Sequence, residues 1–253
     1  MSIPKTIHYC WLSDDPMPEK LARCVASWRE HCPDYEIINW NFERLGDVCP
    51  PWVYQAFEAK KYAFAADWIR AYVMYNFGGI YLDSDVEILK PLDPLLDHRY
   101  VFGYEYMPTP SMEAAVLFAE PRLPFFKHLL AYYDGREFIK PDGTLDTYPL
   151  PQIIGDICRR EGFRFVSVGS PEEIDDRCPD SDLQMVPCEY LSPKNHTDYR
   201  IYATPRSFTI HHFAGTWLPP RKKAWRAFKE NNQWLMRIAR FVKYKVFRRP
   251  VSR

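Results

Sequence analysis

Two carboxylates, Asp83 and Asp85, stand one residue apart at the end of an apolar run, GGIYLDSDVEI, residues 78–88. On a continuing strand, residues two apart share a face, so both acids would point to one spot. Like charges that close repel each other unless a proton or a cation joins them. A hard divalent ion, Mn2+ or Mg2+, suits the pair, because it takes one or two carboxylates and leaves positions for water and substrate phosphate. The chemistry on offer is a metal–diphosphate site. A bare Asp-X-Asp also occurs as a solvated strand end. The weight here comes from the order in which a glycine turn, a buried strand and an acidic tip follow one another.

Two other groups have the right chemistry to join it. Asp67 and Arg70, in AADWIRAY, are three apart and share one helix face. As a structural ion pair they would contribute only a few tenths of a kcal/mol, roughly 0.2–0.5. As ligands, Asp67 would hold a sugar hydroxyl and Arg70 would neutralise phosphate or sugar oxygens. In TIHHFAGTW, His211 and His212 offer a neutral nitrogen to a metal. Strand alternation sends only one of them toward the site, and the residues alone do not choose between them.

The elements that must position these groups read as follows. KTIHYCWL (5–12) is a buried strand, residues 19–31 a helix, and YEIINW (35–40) a second strand. Residues 52–76 carry helical periodicity, and Gly78 and Gly79 end that helix. IYLDSDVEIL then reads as one strand, closed by KPLDP. Strands follow in YVFGYEY and AAVLFAE, helices over 124–133 and 149–161, a strand in FRFVSVG, and a last one in RSFTIHHFAGTWL. Alternating strands and helices predict an α/β fold with a mostly parallel sheet, which takes ligands at the carboxyl ends of its strands. Asp83 and Asp85 stand at such an end.

Composition narrows the class. Apolar residues make up 47% of the 253, enough for a sizeable core. Net charge is zero, which argues against a nucleic-acid binder, but its distribution is uneven. Residues 221–253 hold twelve Lys or Arg against one acid, Glu230, a balance of +11, so residues 1–220 carry −11. The tail spaces Phe228, Leu235, Ile238, Val242 and Val246 near helical period, with basic residues away from that stripe. It reads as a basic amphipathic helix, either packed on the domain or lying on an anionic membrane surface. The expected division is a catalytic domain over 1–220 and this tail over 221–253. The seven cysteines include no Cys-X-X-Cys pair and read as cytosolic thiols. With no secretory signal and no 18-residue apolar stretch, the expected location is cytoplasmic, at most peripheral on the inner face of the plasma membrane.

Three functions fit the residues: a nucleotide-sugar transferase, an aspartate-nucleophile phosphatase built on DSDVE, and a non-catalytic sugar-binding module. About 80 residues precede the motif, which usually opens a phosphatase domain, and a mere binding module leaves Asp67, Arg70 and the histidines without work. The transferase is preferred.

The chain also resembles the bacterial capsular-polysaccharide type of glycosyltransferase family 32. IPKTIHYCWLS, SWREHCPDYEIINWN, KKYAFAADWIRAYVMYNFGGIYLDSDVEILKPLD and FTIHHFAGTW carry the likeness over most of residues 3–218. Ala66, where serine is common, and the GTW stretch are modest departures. The resemblance implies a single GT-A domain and retaining transfer from a nucleotide sugar, with a uridine diphosphate sugar preferred to guanosine diphosphate mannose. It further implies a polysaccharide or lipid-linked oligosaccharide acceptor. Asp83 and Asp85 would bind metal and donor, with Asp67 and Arg70 on the donor sugar. Trp11 would stack on the base, with His8 a further donor contact and Trp217 on the phosphate side. The HFAG stretch favours His212 over His211 as the third metal ligand.

Overall fold

The computed structural model describes residues 2–107, 109, 111–196 and 198–215, together with 221, 224, 227, 228, 232 and 234. Trp217 and most of the expected C-terminal helix lie outside the described residues.

Among the described residues nine strands form, β1 (Thr6–Cys10), β2 (Glu36–Trp40), β3 (Gly79–Leu82), β4 (Val86–Ile88), β5 (Tyr100–Gly103), β6 (Val116–Ala119), β7 (Arg164–Ser167), β8 (Asp182–Val186) and β9 (Thr209–His211). Seven of them make one sheet in the order β2-β1-β3-β6-β5-β8-β7, and β4 pairs with β9 in a separate ribbon. Only β6 runs against its neighbours in the large sheet, so the α/β fold with a mostly parallel sheet is as expected.

The helices are α1 (Glu19–His31), α2 (Phe42–Leu45), α3 (Pro51–Glu58), α4 (Tyr62–Asn76), α5 (Pro124–Ala131), α6 (Leu150–Glu161) and α7 (Cys188–Leu191). Alternation along β3 divides the core. Tyr81 faces the layer of Trp52, Ile69, Val73 and Phe125, while Ile80 and Leu82 face Ile7, Trp28, Val101 and Phe118. Each face of the sheet is thus sealed by apolar side chains, the usual driving force for a layered α/β domain.

Three details differ from expectation, each for a physical reason. The helix expected over 52–76 is two helices, α3 and α4. Lys60 takes a left-handed φ of 57°, Lys60 N–H donates to Phe57 O at 2.8 Å, and Lys61 N–H donates to Ala56 O at 2.8 Å. That is a Schellman stop, built on lysine where glycine is the usual signal. β8 was not expected at all, although Leu183 and Met185 alternate with the buried Gln184 in its sequence. Finally, IYLDSDVEIL is not one strand. The chain turns at Asp83–Asp85, with Val86 N–H donating to Asp83 O at 2.9 Å, and leaves the large sheet for the ribbon. The acids are therefore brought together by a turn rather than by strand alternation.

The double glycine is required where it stands. Gly78 and Gly79 have φ of 64° and 86°, and a Cβ would fall 2.5 Å from Pro121 N at the first and 2.6 Å from Thr6 O at the second. Only glycine lets the chain leave α4 and enter the middle of the sheet so tightly.

Candidate active site

Asp83 follows β3 at the carboxyl end of the sheet, and its N–H donates to Ala115 O at 2.9 Å. It lies two residues after Tyr81, on the α4 side, where Arg70 waits. Arg70 Nη2 donates to Asp83 Oδ1 at 2.8 Å, and the guanidinium sits 4.8 Å from the centre of the Tyr81 ring. Asp67, one turn earlier on α4, is 3.8 Å from the same nitrogen. Asp67 and Arg70 are almost fully enclosed. Burial pushes the Asp67 carboxyl up to about 7, with Arg70 opposing. Burial also raises Asp83, with Arg70 pulling it back and Asp85 adding to the rise. Arg70 is thus shared by two carboxylates, more than a surface i,i+3 pair.

Asp85 is held from the other side. Trp28 Nε1–H on α1 donates to Val86 O at 2.7 Å, and Ser27 Oγ accepts Ile88 N–H at 2.9 Å, pinning β4 just beyond the acid. The turn after β9 closes over it. Phe213 adopts φ of 51°, which brings Ala214 N–H to Asp85 Oδ2 at 2.6 Å. A non-glycine residue in that conformation carries strain, and such strain concentrates at functional sites.

The third member of the cluster is His211. It pairs in register with Val86, and its Nε2 lies 3.5 Å from Asp85 Oδ1. Ligand atoms of Asp83, Asp85 and His211 all lie within 4.8 Å of one another. His212, the expected ligand, points elsewhere: the side chains alternate, and its Nε2 meets Glu87 Oε2 at 2.7 Å. The other ring nitrogen of His211 faces Glu113, with Nδ1 3.1 Å from Oε1 and 3.2 Å from Oε2. Burial works against a charge on His211, yet Glu113 and Asp85 together push its imidazole up to about 9.

The other expected donor contacts divide. Trp11 follows β1 at the same sheet edge and is half-buried, its indole N–H donating to Asp15 O at 3.1 Å. His8 is instead a core residue, 1% exposed. Its Nδ1 accepts Trp40 Nε1–H at 3.0 Å, and burial lowers its pKa to about 4, so the ring stays neutral. The period of β1 turns it inward beside Gly79. Glu113 was missed. The signal was an acid inside the apolar stretch SMEAAV between two strands, where a buried charge needs a partner.

The donor set fits Mn2+ or Mg2+. Two carboxylates and an imidazole nitrogen converge, with carboxylates suited to both ions and the nitrogen favouring Mn2+. Arg70 Nε and the Tyr133 hydroxyl are buried without a hydrogen-bond partner among the described residues. Burial and the nearby Asp67 charge hold the Tyr133 phenol well above its usual range, so it remains a donor. Unspent donors of this kind are costly unless a ligand or water meets them.

Comparison with known proteins gives the same direction. Residues 18–102 match the family described as "Glycosyltransferase sugar-binding region containing DXD motif". Inositol phosphoceramide mannosyltransferase 3 of Schizosaccharomyces pombe is 36% identical over 101 residues, covering 38% of this chain and 28% of its own length. Inositol phosphoceramide mannosyltransferase 1 of the same yeast is 33% identical over 159 residues, covering 58% of this chain and 49% of its own. The chain therefore spans half or less of the length of these relatives. A solved glycosyltransferase involved in glycosylation of the major capsid of PBCV-1 aligns at 13% identity with a TM-score of 0.48, over 87% of this chain and 97% of its own. The family match and the mannosyltransferase relatives both support a glycosyltransferase. The matched span holds Asp67, Arg70, Asp83 and Asp85, so over residues 18–102 this chain is similar to the DXD sugar-binding region of glycosyltransferases.

Proposed function

We propose that this chain transfers a sugar, with retention, from a nucleotide-sugar donor to a saccharide or lipid-linked saccharide, using a divalent cation held by Asp83, Asp85 and His211. The observation that carries it is the meeting of those three groups beside the buried Arg70 at the carboxyl end of the sheet. The sheet order, with one reversed strand, supports a GT-A reading of the domain. When bound, the cation supplies charge neutralisation for the departing diphosphate.

The chain's own residues do the rest. Asp83 fixes Arg70 through one nitrogen and leaves Nε to donate to a phosphate or sugar oxygen. Asp67, titrating near neutrality, can accept from or donate to a sugar hydroxyl in a site shielded from water. Trp11 offers its indole face to the base. An acceptor hydroxyl then bonds to the anomeric carbon on the face that the leaving group vacates, as the bond to the diphosphate oxygen breaks and that oxygen takes the hydroxyl proton, which retains configuration. The phosphatase and binding-module readings are not favoured, because the matched family is one of transferases.

The donor is tested by thermal shift. A panel of uridine diphosphate sugars and guanosine diphosphate mannose, the latter prompted by the relatives' names, is added with and without Mn2+. A ligand at about 100 times its Kd adds ~2.7 kcal/mol, or roughly 5–10 °C for a chain of this size. One donor class should produce that shift only with metal. Equal shifts with and without Mn2+, or none, would contradict the proposal.

The basic tail extends the reading to the acceptor. No helix among the described residues is long and apolar enough to cross a membrane. We assign residues 221–253 to the anionic cytoplasmic face of a membrane, where each basic residue contributes about 1 kcal/mol and lipid-linked acceptors, including those of capsular polysaccharide, are within reach. Intact chain should float with anionic but not neutral vesicles, release in high salt, and lose binding when truncated after Pro220. Equal flotation of both forms would remove this part.

A further inference from the structure

We propose that Glu113 is a positioning residue that holds the His211 imidazole by Nδ1 and so turns Nε2 toward Asp83 and Asp85, where it would ligate a divalent cation, and that it thereby sets the affinity of the site for that cation. This rests on the metal reading above and goes beyond it, because Glu113 lies outside the matched span and meets the cluster through His211 and Ala115.

Glu113 sits between β5 and β6 and is 2% exposed. Its carboxylate lies 3.1 Å and 3.2 Å from His211 Nδ1, so both oxygens address one ring nitrogen. An ionised carboxylate only accepts, which requires the proton to reside on Nδ1. The opposite nitrogen, Nε2, is then the one left to face Asp85, 3.5 Å away. Metal-binding histidines are commonly held this way, and loss of such a partner typically costs about 10–100-fold in metal affinity.

Glu113 is joined to the other half of the site as well. Its Oε1 accepts Ala115 N–H at 3.0 Å, and Ala115 O accepts Asp83 N–H at 2.9 Å. One buried carboxylate therefore braces His211 directly and the backbone of Asp83 through a single residue. That second link supplies a rival explanation, in which Glu113 only clamps the loop 113–115. Glu113→Gln separates the two: the amide oxygen still accepts from Ala115, while the charge that holds the Nδ1 proton is gone.

The test is Mn2+ binding to the full chain, read by electron paramagnetic resonance, for the wild type, E113Q, H211Q and the double variant. Wild type should bind, and E113Q should bind about 10–100-fold more weakly. In the H211Q background E113Q should add less than about 3-fold, since acting through His211 is the point of the cycle. Equal losses in both backgrounds, or wild-type affinity in E113Q, would overturn the proposal while leaving the metal site standing. Absence of Mn2+ binding by the wild type would remove the metal reading and this inference together. A second readout needs no variant. In the Mg2+-loaded wild type, 15N spectra of the histidine rings should find His211 protonated on Nδ1, and protonation on Nε2 would overturn the assignment.

Discussion

Asp85→Asn should lower metal-dependent donor turnover by about 10²–10³-fold while the fold stays intact. The estimate follows from what one preorganised group is worth when charge develops on a leaving group in a water-poor site. The fold survives because an asparagine oxygen can still accept the Ala214 N–H that Asp85 now takes, and β4 stays pinned by Trp28 and Ser27. Asp83→Asn should be equally inactive but less clean. It removes the charge opposite Arg70, leaving a buried guanidinium with an amide oxygen and Asp67 at 3.8 Å, and breaking a buried ion pair at one partner costs about 3–5 kcal/mol. Nucleoside diphosphate release and a thermal melt on the same samples separate the two effects. An Asp85→Asn enzyme with more than about a third of wild-type turnover at saturating Mn2+ would mean that the carboxylate is not used.

The second large effect belongs to Arg70→Lys. Charge is retained, yet a 100-fold fall in kcat/KM, or ~2.7 kcal/mol, is expected. Arg70 uses one end of its fork on Asp83 and lies over the Tyr81 ring, with Nε still free to donate. A lysine ammonium is a point charge that cannot hold Asp83 and a ligand oxygen in one plane. Donor affinity and turnover should therefore fall more than stability does. Were Arg70 only half of a structural ion pair, the variant would move the melting temperature and leave kcat/KM alone. Asp67→Ala removes the buried carboxylate without touching the bond to Asp83 and should likewise lower donor affinity and turnover more than stability.

Much of this was legible in the chain itself. The helix over 19–31, the glycine pair and the acids after a buried strand could be read because each follows from a local rule: apolar spacing, positive φ, and charge at a strand tip. The sharing of a face by Asp67 and Arg70 was equally local. What failed was what depends on tertiary contact. The break between α3 and α4 uses Lys60 in a conformation that glycine normally signals. β4 looked like more of β3 because its residues suit either sheet, and only its pairing with β9 distinguishes them. His211 and His212 are chemically identical. Which of them reaches the acids is decided by the register opposite Val86 and by Glu87 and Glu113, residues far away in sequence. His8, near the same end of the sheet, lies in the core against Trp40, a burial that its sequence neighbourhood did not signal.

The most direct test follows radiolabelled nucleotide sugar with the wild-type chain, in Mn2+ and again after EDTA. Release of nucleoside diphosphate and transfer or hydrolysis of the sugar are expected in Mn2+, with loss of both in EDTA and recovery when Mn2+ is restored. Full turnover in EDTA, or label from a phosphate donor trapped on Asp83 as an acyl phosphate, would contradict this.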